Sequence, residues 1–380
     1  MKLSPHHDTV QSAAHDRASG RAKRLRVAFL APSLLVGGAE RWLISLARYC
    51  DAQRIEWSGT ALTDRAPADA GMCREMAAHM PVYAGPGTGP SAPLPGVVYC
   101  PSARLAAQTI LAQADVLVTG TGEDLANYAT GFNGPIVQVS HASGDLAGEY
   151  FRLNESRATH FVAVSEPAVL SFSPAVRKKT AIIHNGIDVH RCTPTQPRAT
   201  LRAQWGFKDH HLLIGYVGRY DWLKNPTAAA LAAKELGSDA YAIYTAQDQG
   251  FEQLRHQTHR LIGERARFVP LSPQVGDILT ALDVFILASL TEAFSLSLAE
   301  AWYCGVPVVA TRVGAIPELE RQHGQLVAPV PLHPSGSDLA QAVTEALSPA
   351  FHREVVLRAQ NVVSQFYTSA EMANRWTDYL

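Results

Sequence analysis

Arg219 and Lys224 stand on one short loop, Gly218-Arg219-Tyr220-Asp221-Trp222-Leu223-Lys224-Asn225-Pro226, directly after the apolar run Leu212–Val217. Asn225 is a residue type that caps helices and Pro226 one that opens them. A helix start presents unbonded amides and a partial positive charge, both suited to a phosphate. Two cations beside it could hold a diphosphate without a metal. A solvated loop with ordinary surface charges fits the same residues, and the local sequence does not choose between the two.

A second group of residues follows the apolar run Val284–Ala288. Glu292 and Glu300 stand eight apart in Ser289-Leu290-Thr291-Glu292-Ala293-Phe294-Ser295-Leu296-Ser297-Leu298-Ala299-Glu300. The first falls in a loop and the second in a helical pattern. Ser297 and Glu300 together spell S-x-x-E, a capping box, so Glu300 has a purely structural explanation as well. Glu292 reads equally as a polar loop residue.

These loops are carried by a regular alternation of short apolar runs and helical patterns. In the first half the runs are Arg26–Ala31, Asp115–Thr119, Ile136–Ser140, His160–Ser165 and Thr180–His184. Gly37-Gly38 follows the first run, and Ala39–Cys50 reads as a helix with Trp42, Leu43, Leu46 and Ala47 on one face. In the second half the runs are Leu212–Val217, Ala240–Tyr244, Ala266–Val269, Val284–Ala288, Val306–Ala310 and Gln325–Val327. Such alternation predicts parallel sheets with helices on both faces. The fold class is therefore α/β, two Rossmann-like doubly wound domains facing across a cleft, with ligands at the carboxyl ends of the strands. The expected division is a disordered extension at 1–23, a first domain at 24–190, a Pro-containing linker at 191–210, a second domain at 211–360 and a terminal helix at 361–380. The Gly- and Pro-rich stretch 84–101 is expected to be a mobile loop.

Composition limits the function classes. The 380 residues carry a formal net charge of −1, with no global pull toward nucleic acid. Five cysteines, odd in number and without a CxxC pair, argue for reduced thiols and a cytoplasmic setting. The first 23 residues lack an apolar segment of the secretory kind, and no run of 18 apolar residues exists to span a bilayer. Peripheral contact with the inner membrane face stays open. There is no D-x-D, G-x-x-x-x-G-K-[ST], H-E-x-x-H or G-x-S-x-G, and Gly120-Thr121-Gly122 fails a dinucleotide fingerprint at Leu125.

Six segments, in order, resemble a known family. Gly37-Gly38-Ala39-Glu40-Arg41 is similar to its G-G-A-E-R loop, and His184-Asn185-Gly186-Ile187-Asp188 to its P-N-G-V-D turn. Gly218-Arg219 with Lys224-Asn225-Pro226 resembles its G-R…K-N-P segment, and Glu292 to Glu300 its E-x7-E motif. Gly305–Thr311 resembles G-x-P-V-V-A-T, and Val313–Glu318 resembles V-G-G-x-P-E. The family is that of retaining glycosyltransferases of the GT-B fold, family four (glycosyl transferases group 1), and the resemblance spans about residues 26 to 345.

The resemblance implies a UDP- or GDP-sugar donor, an acceptor glycan, glycolipid or small molecule, retention of anomeric configuration, and no metal or other cofactor. It implies that Arg219 and Lys224 bind the donor diphosphate and that Glu300 accepts from the ribose hydroxyls. Glu292 would hold the transferred sugar, with backbone amides of Phe294, Ser295, Leu296 and Ser297 reaching sugar or phosphate. Gly37 and Gly38 would allow close backbone approach, His141 would face the donor sugar, and Val269 would lie against the base. Three positions depart from the pattern: Ala293 and Ser295 replace glycines, and Ser297 replaces a frequent proline. Competing expectations are a nucleotide-sugar hydrolase or epimerase on the same scaffold, and a non-catalytic nucleotide-sugar-binding subunit.

Overall fold

The computed structural model describes residues 23–32, 34–63, 68–142, 148–245, 250–270 and 272–380. The expected N-terminal extension lies outside these residues apart from Lys23. The chain divides into two compact units, one ending at Gly186 and taking back Ser369–Leu380, the other Ile187–Thr368.

The first unit is built on an eight-stranded sheet in the order β4-β3-β2-β1-β5-β6-β7-β8. Its strands are β1 (Leu25–Ala31), β2 (Ile55–Leu62), β3 (Val82–Ala84), β4 (Val97–Tyr99), β5 (Val116–Thr119), β6 (Ile136–Ser140), β7 (His160–Ala163) and β8 (Ala181–Ile182). All adjacent pairs are parallel. The near-continuous burial of β1, β5 and β6 explains why they read as unbroken apolar runs. β2 was hidden because Glu56, Ser58 and Gly59 break the pattern. Its register against β1 shifts at that point, and Gly59 sits at φ +135° with Tyr83 and the Pro81 carbonyl too close for a Cβ. The 84–101 stretch, expected to be a loop throughout, contains the strand β4, paired to β3. Three-residue strands among Gly and Pro carry too little periodicity to be read.

Helix Gly38–Tyr49 buries the predicted face of Trp42, Leu43, Leu46 and Ala47. It packs on helix Ser369–Tyr379, with Trp42 and Trp376 edge to face at 5.5 Å. The terminal segment thus belongs to the first unit from Ser369 on, while helix Leu357–Phe366 belongs to the second.

The second unit has six parallel strands in the order β11-β10-β9-β12-β13-β14. They are β9 (Leu212–Tyr216), β10 (Ala240–Thr245), β11 (Ala266–Val269), β12 (Val284–Leu287), β13 (Val308–Thr311) and β14 (Ala328–Val330). Counted within the unit this is 3-2-1-4-5-6, the doubly wound order whose switch point lies between β9 and β12. The last strand lies three residues beyond the expected Gln325–Val327. Those residues are engaged instead by Glu320, which accepts from the Leu326 amide at 3.0 Å, and by Trp302, which donates to the Leu326 carbonyl at 3.0 Å.

The stretch 191–210 is part of the second unit and not a bare connection. Helix Arg198–Gln204 lies within it, and Arg202 is almost fully buried. Arg202 Nη1 donates to Asp283 Oδ2 at 3.1 Å, Arg198 pairs with the same carboxylate, and the Leu213 amide donates to it at 2.7 Å. Asp283 thereby fastens this helix to the starts of β9 and β12. Pro194 and Pro197 had masked the element, since they precede a helix of only seven residues.

Candidate active site

Several of the residues singled out for the donor follow the two strands that flank the switch point. After β9 the chain passes Gly218 and Arg219. Tyr216 is buried and donates its hydroxyl to the Arg219 carbonyl at 2.7 Å, which fixes the turn. Burial first, and then the nearby Glu292, hold its phenol well above the ordinary range, so it stays a neutral donor. A Cβ at Gly218 would come within 2.8 Å of that hydroxyl. The Arg219 side chain is 67% exposed and lies 3.8 Å from Asp221.

The helix start differs from the expected one. Asp221, not Asn225, does the capping: its side chain accepts from the Lys224 amide at 3.2 Å and closes a 3-10 turn over Trp222–Lys224. Asn225 is left-handed at φ 46°, a conformation asparagine tolerates, and accepts from the Thr227 hydroxyl at 3.1 Å. The α-helix begins only at Ala228. Part of its first turn is already used, because the Ala230 amide donates to the Tyr244 hydroxyl at 3.2 Å. Lys224 therefore sits on a rigid turn before the helix rather than at its mouth.

The loop after β12 meets that turn. The Leu290 amide donates to the Leu223 carbonyl at 2.7 Å. Lys224 Nζ lies 2.8 Å from Glu292 Oε2, and the buried Ser289 hydroxyl donates to Glu292 Oε1 at 2.8 Å. The Thr311 hydroxyl donates to the Ser289 carbonyl. Glu292 is held from behind as well: Gly314, at φ +62°, packs so closely that a Cβ there would lie 2.7–2.9 Å from Glu292 and the Ala293 carbonyl. An ammonium has three donors, so one bond to Glu292 is compatible with Lys224 binding an anion too.

Glu300 is not a capping residue. Helix Leu296–Tyr303 is capped by Ser295, which accepts from the Leu298 amide at 3.4 Å. Ser297 lies inside the helix and its hydroxyl is 3.3 Å from that of Ser295. The S-x-x-E pattern starts two residues too late, because Ser295 competes successfully for the cap position. Glu300 instead is buried and ion-paired, its Oε1 3.1 Å from Arg191 Nη1. Leu296 and Ser297 lie in the first turn, where amides have no intrahelical acceptor. Phe294 and Ala293 are buried, and Phe294 packs on Tyr367 at 5.9 Å. Val269 ends β11, the outer strand of this sheet, two strands away from β9.

The remaining candidates lie in the first unit. Gly37 is the cap position of helix Gly38–Tyr49, the first helix after β1, and Gly38 opens it. His141 follows β6 with its ring against Trp42 at 4.5 Å. Its Nε2 is enclosed and has no hydrogen-bond partner among the described residues. Burial lowers its pKa to about 4, so the imidazole is neutral at neutral pH.

Arg191 escaped sequence reading. It lies just past the His184–Asp188 segment and 109 positions from Glu300, so no spacing connects the two. A group of metal-capable side chains, His210, His211 and Asp239, also escaped it. The group lies at the amino end of β9, opposite to the carboxyl end that carries Arg219, and His211 Nδ1 accepts from the Lys208 amide at 3.2 Å.

Comparison with known proteins bears on the fold and the family of this chain. Residues 197–355 match the family described as glycosyl transferases group 1. A D-inositol 3-phosphate glycosyltransferase of Mycobacteroides abscessus is 31% identical over 175 residues, 44% of this chain and 38% of that protein. The one of Mycolicibacterium gilvum is 34% identical over 146 residues, 36% of this chain and 32% of that protein. The chain thus spans under half the length of the curated relatives it matches. The crystal structure of Anabaena Alr3699/HepE in complex with UDP-glucose superposes with a TM-score of 0.71 at 21% identity, covering 93% of this chain and 98% of that one. The chain has two Rossmann-like domains in the GT-B fold, and its residues 197–355 match the family described as glycosyl transferases group 1.

Proposed function

We propose that the protein moves a sugar from a UDP- or GDP-sugar to an acceptor hydroxyl with retention at the anomeric carbon. The observation that carries this reading is the Lys224–Glu292 pair, 2.8 Å apart beside Arg219, at the switch point of the second sheet. Lys224 and Arg219 would bind the diphosphate and stabilise the charge that develops on the leaving group. Glu292 would accept from hydroxyls of the transferred sugar and stabilise its oxocarbenium-like charge. Glu300 would hold the ribose, and the amides from Phe294 to Ser297 would reach sugar or phosphate. Ala293, Ser295 and Ser297 would shape the choice of sugar, and Val269 would lie by the base.

His141, as a neutral imidazole, and the backbone at Gly37 and Gly38 are the first unit's own candidates for contact with the sugar. The leaving phosphate would take the acceptor proton, and Lys224 and Arg219 would stabilise its charge in place of a metal. HepE supplies the first donor to try, since its structure holds UDP-glucose. The curated relatives are named D-inositol 3-phosphate glycosyltransferases, which supports trying soluble phosphorylated acceptors beside glycolipids and glycans. Work at the inner membrane face is compatible with this reading. No described helix is long and apolar enough to cross a membrane.

The test is a transfer screen over UDP- and GDP-sugars with mixed acceptors, followed by NMR of the product anomer. Acceptor-dependent release of the nucleotide and a product with the donor's configuration are expected. Inversion would refute retention. Turnover only without acceptor would favour hydrolysis, and tight binding without turnover a non-catalytic role.

A further inference from the structure

We propose that Arg191 is a positioning residue that orients the Glu300 carboxylate for a nucleotide ribose. This rests on the donor-site reading given above. Arg191 lies in the short helix Val189–Cys192, capped by Asp188, which is itself buried and accepts from the His190 amide at 3.0 Å. That helix is anchored by the Ile187 amide, which donates to the Tyr367 carbonyl at 2.9 Å.

The guanidinium is tied at two points. Nε donates to the Pro273 carbonyl at 3.1 Å, and Nη1 to Glu300 Oε1 at 3.1 Å. The side chains are 20% and 8% exposed, so the pair is largely withdrawn from water. Glu300 is itself fixed in the middle of helix Leu296–Tyr303, where its carbonyl accepts from the Cys304 amide at 3.0 Å.

A planar guanidinium bound at both Nε and Nη1 has its plane set, and with it the direction of the carboxylate it holds. Two properties matter for a diol ligand. An ionised carboxylate is acceptor-only, the pattern that two donating hydroxyls require. A carboxylate also offers about four lone-pair sites, so the bond to Arg191 does not by itself preclude accepting from hydroxyls. Without the guanidinium the carboxylate would lose the partner that sets its direction. Glu300 would then no longer be held in one orientation toward a diol.

The experiment is calorimetric titration of the full-length protein with UDP and with 2′,3′-dideoxyuridine diphosphate, and with the matching guanosine pair. Wild type, Arg191→Gln, Arg191→Lys and Glu300→Gln are compared. Arg191→Gln is expected to weaken the ribonucleotide about tenfold and the dideoxy nucleotide less than about twofold, since the charge-assisted bond it supports is made only to ribose. Arg191→Lys, which keeps the cation, is expected to recover most of that loss. Equal weakening of both nucleotides by Arg191→Gln, or none, overturns the proposal. If Arg191→Gln does not fold, Arg191→Met takes its place: a loss confined to the ribonucleotide supports the proposal, and equal losses on the two nucleotides, or none, overturn it. Glu300→Gln separates the two levels. A ribose-selective loss in Glu300→Gln without one in the Arg191 variants defeats only the positioning role. No ribose selectivity in Glu300→Gln, or no nucleotide binding by wild type, defeats the donor-site reading and this proposal with it.

Discussion

Replacement of Lys224 by alanine will lower turnover of a nucleotide-sugar donor by about a hundredfold or more, because a cation preorganised at a leaving group is worth roughly 3 kcal/mol. The ammonium is placed by elements that the substitution leaves intact. Asp221 closes the 3-10 turn through the backbone amide of residue 224, and the Leu290 amide grips the Leu223 carbonyl at 2.7 Å. Glu292 would keep its bond from Ser289, at 2.8 Å. The fold should therefore survive, and steady-state kinetics alongside a thermal melt separates loss of chemistry from loss of structure. Near-normal turnover with an unchanged melt would remove the diphosphate from Lys224. Arg219 offers a cleaner control on stability, since an ion pair 67% exposed on the arginine side and 3.8 Å long contributes little to folding.

The second large effect lies away from the donor residues. Asp283→Ala should destabilise the second unit by about 3 kcal/mol or more, since it strands a buried guanidinium. Arg202 is 4% exposed and gives Asp283 bonds of 3.1 and 3.2 Å, and its other bonds go to the uncharged carbonyls of Ala281 and His211. The Leu213 amide loses its 2.7 Å acceptor at the same time. In a unit of this size such a loss lowers Tm by about 10 °C. The paired variant, Asp283→Ala with Arg202→Met, should recover much of the stability, because removing both members of a buried pair costs less than removing one. A melt unchanged in the single variant would show that the network is not what fastens helix Arg198–Gln204 to the sheet.

The central strands of both sheets were legible because they are buried on both faces and read as continuous apolar runs. β9, β12 and β13 are of this kind, and so are β1, β5 and β6. What escaped was short, edge-bound or interrupted: β3 and β4 have three residues each, and β2 carries Glu56 and a register shift at Gly59. The site divided in the same way. Spacing and resemblance selected Lys224, Glu292 and Glu300, and the fold brings the first two within 2.8 Å. Local capping rules misjudged two helix starts. At one, Asp221 took the role expected of Asn225, and at the other Ser295 took the role expected of Ser297. Each pair of candidates lies within four residues, and pattern rules do not rank neighbours that close. The Arg191–Glu300 pair was beyond reach for another reason: it joins elements 109 residues apart through side chains alone.

A crystal structure of the protein with UDP or GDP bound tests the donor-site assignment most directly. Diphosphate oxygens within about 3.2 Å of Lys224 Nζ and the Arg219 guanidinium are the predicted result, with the ribose hydroxyls at Glu300. A nucleotide whose diphosphate is held by other residues, with Lys224 still closed on Glu292 and Arg219 turned away, would contradict it.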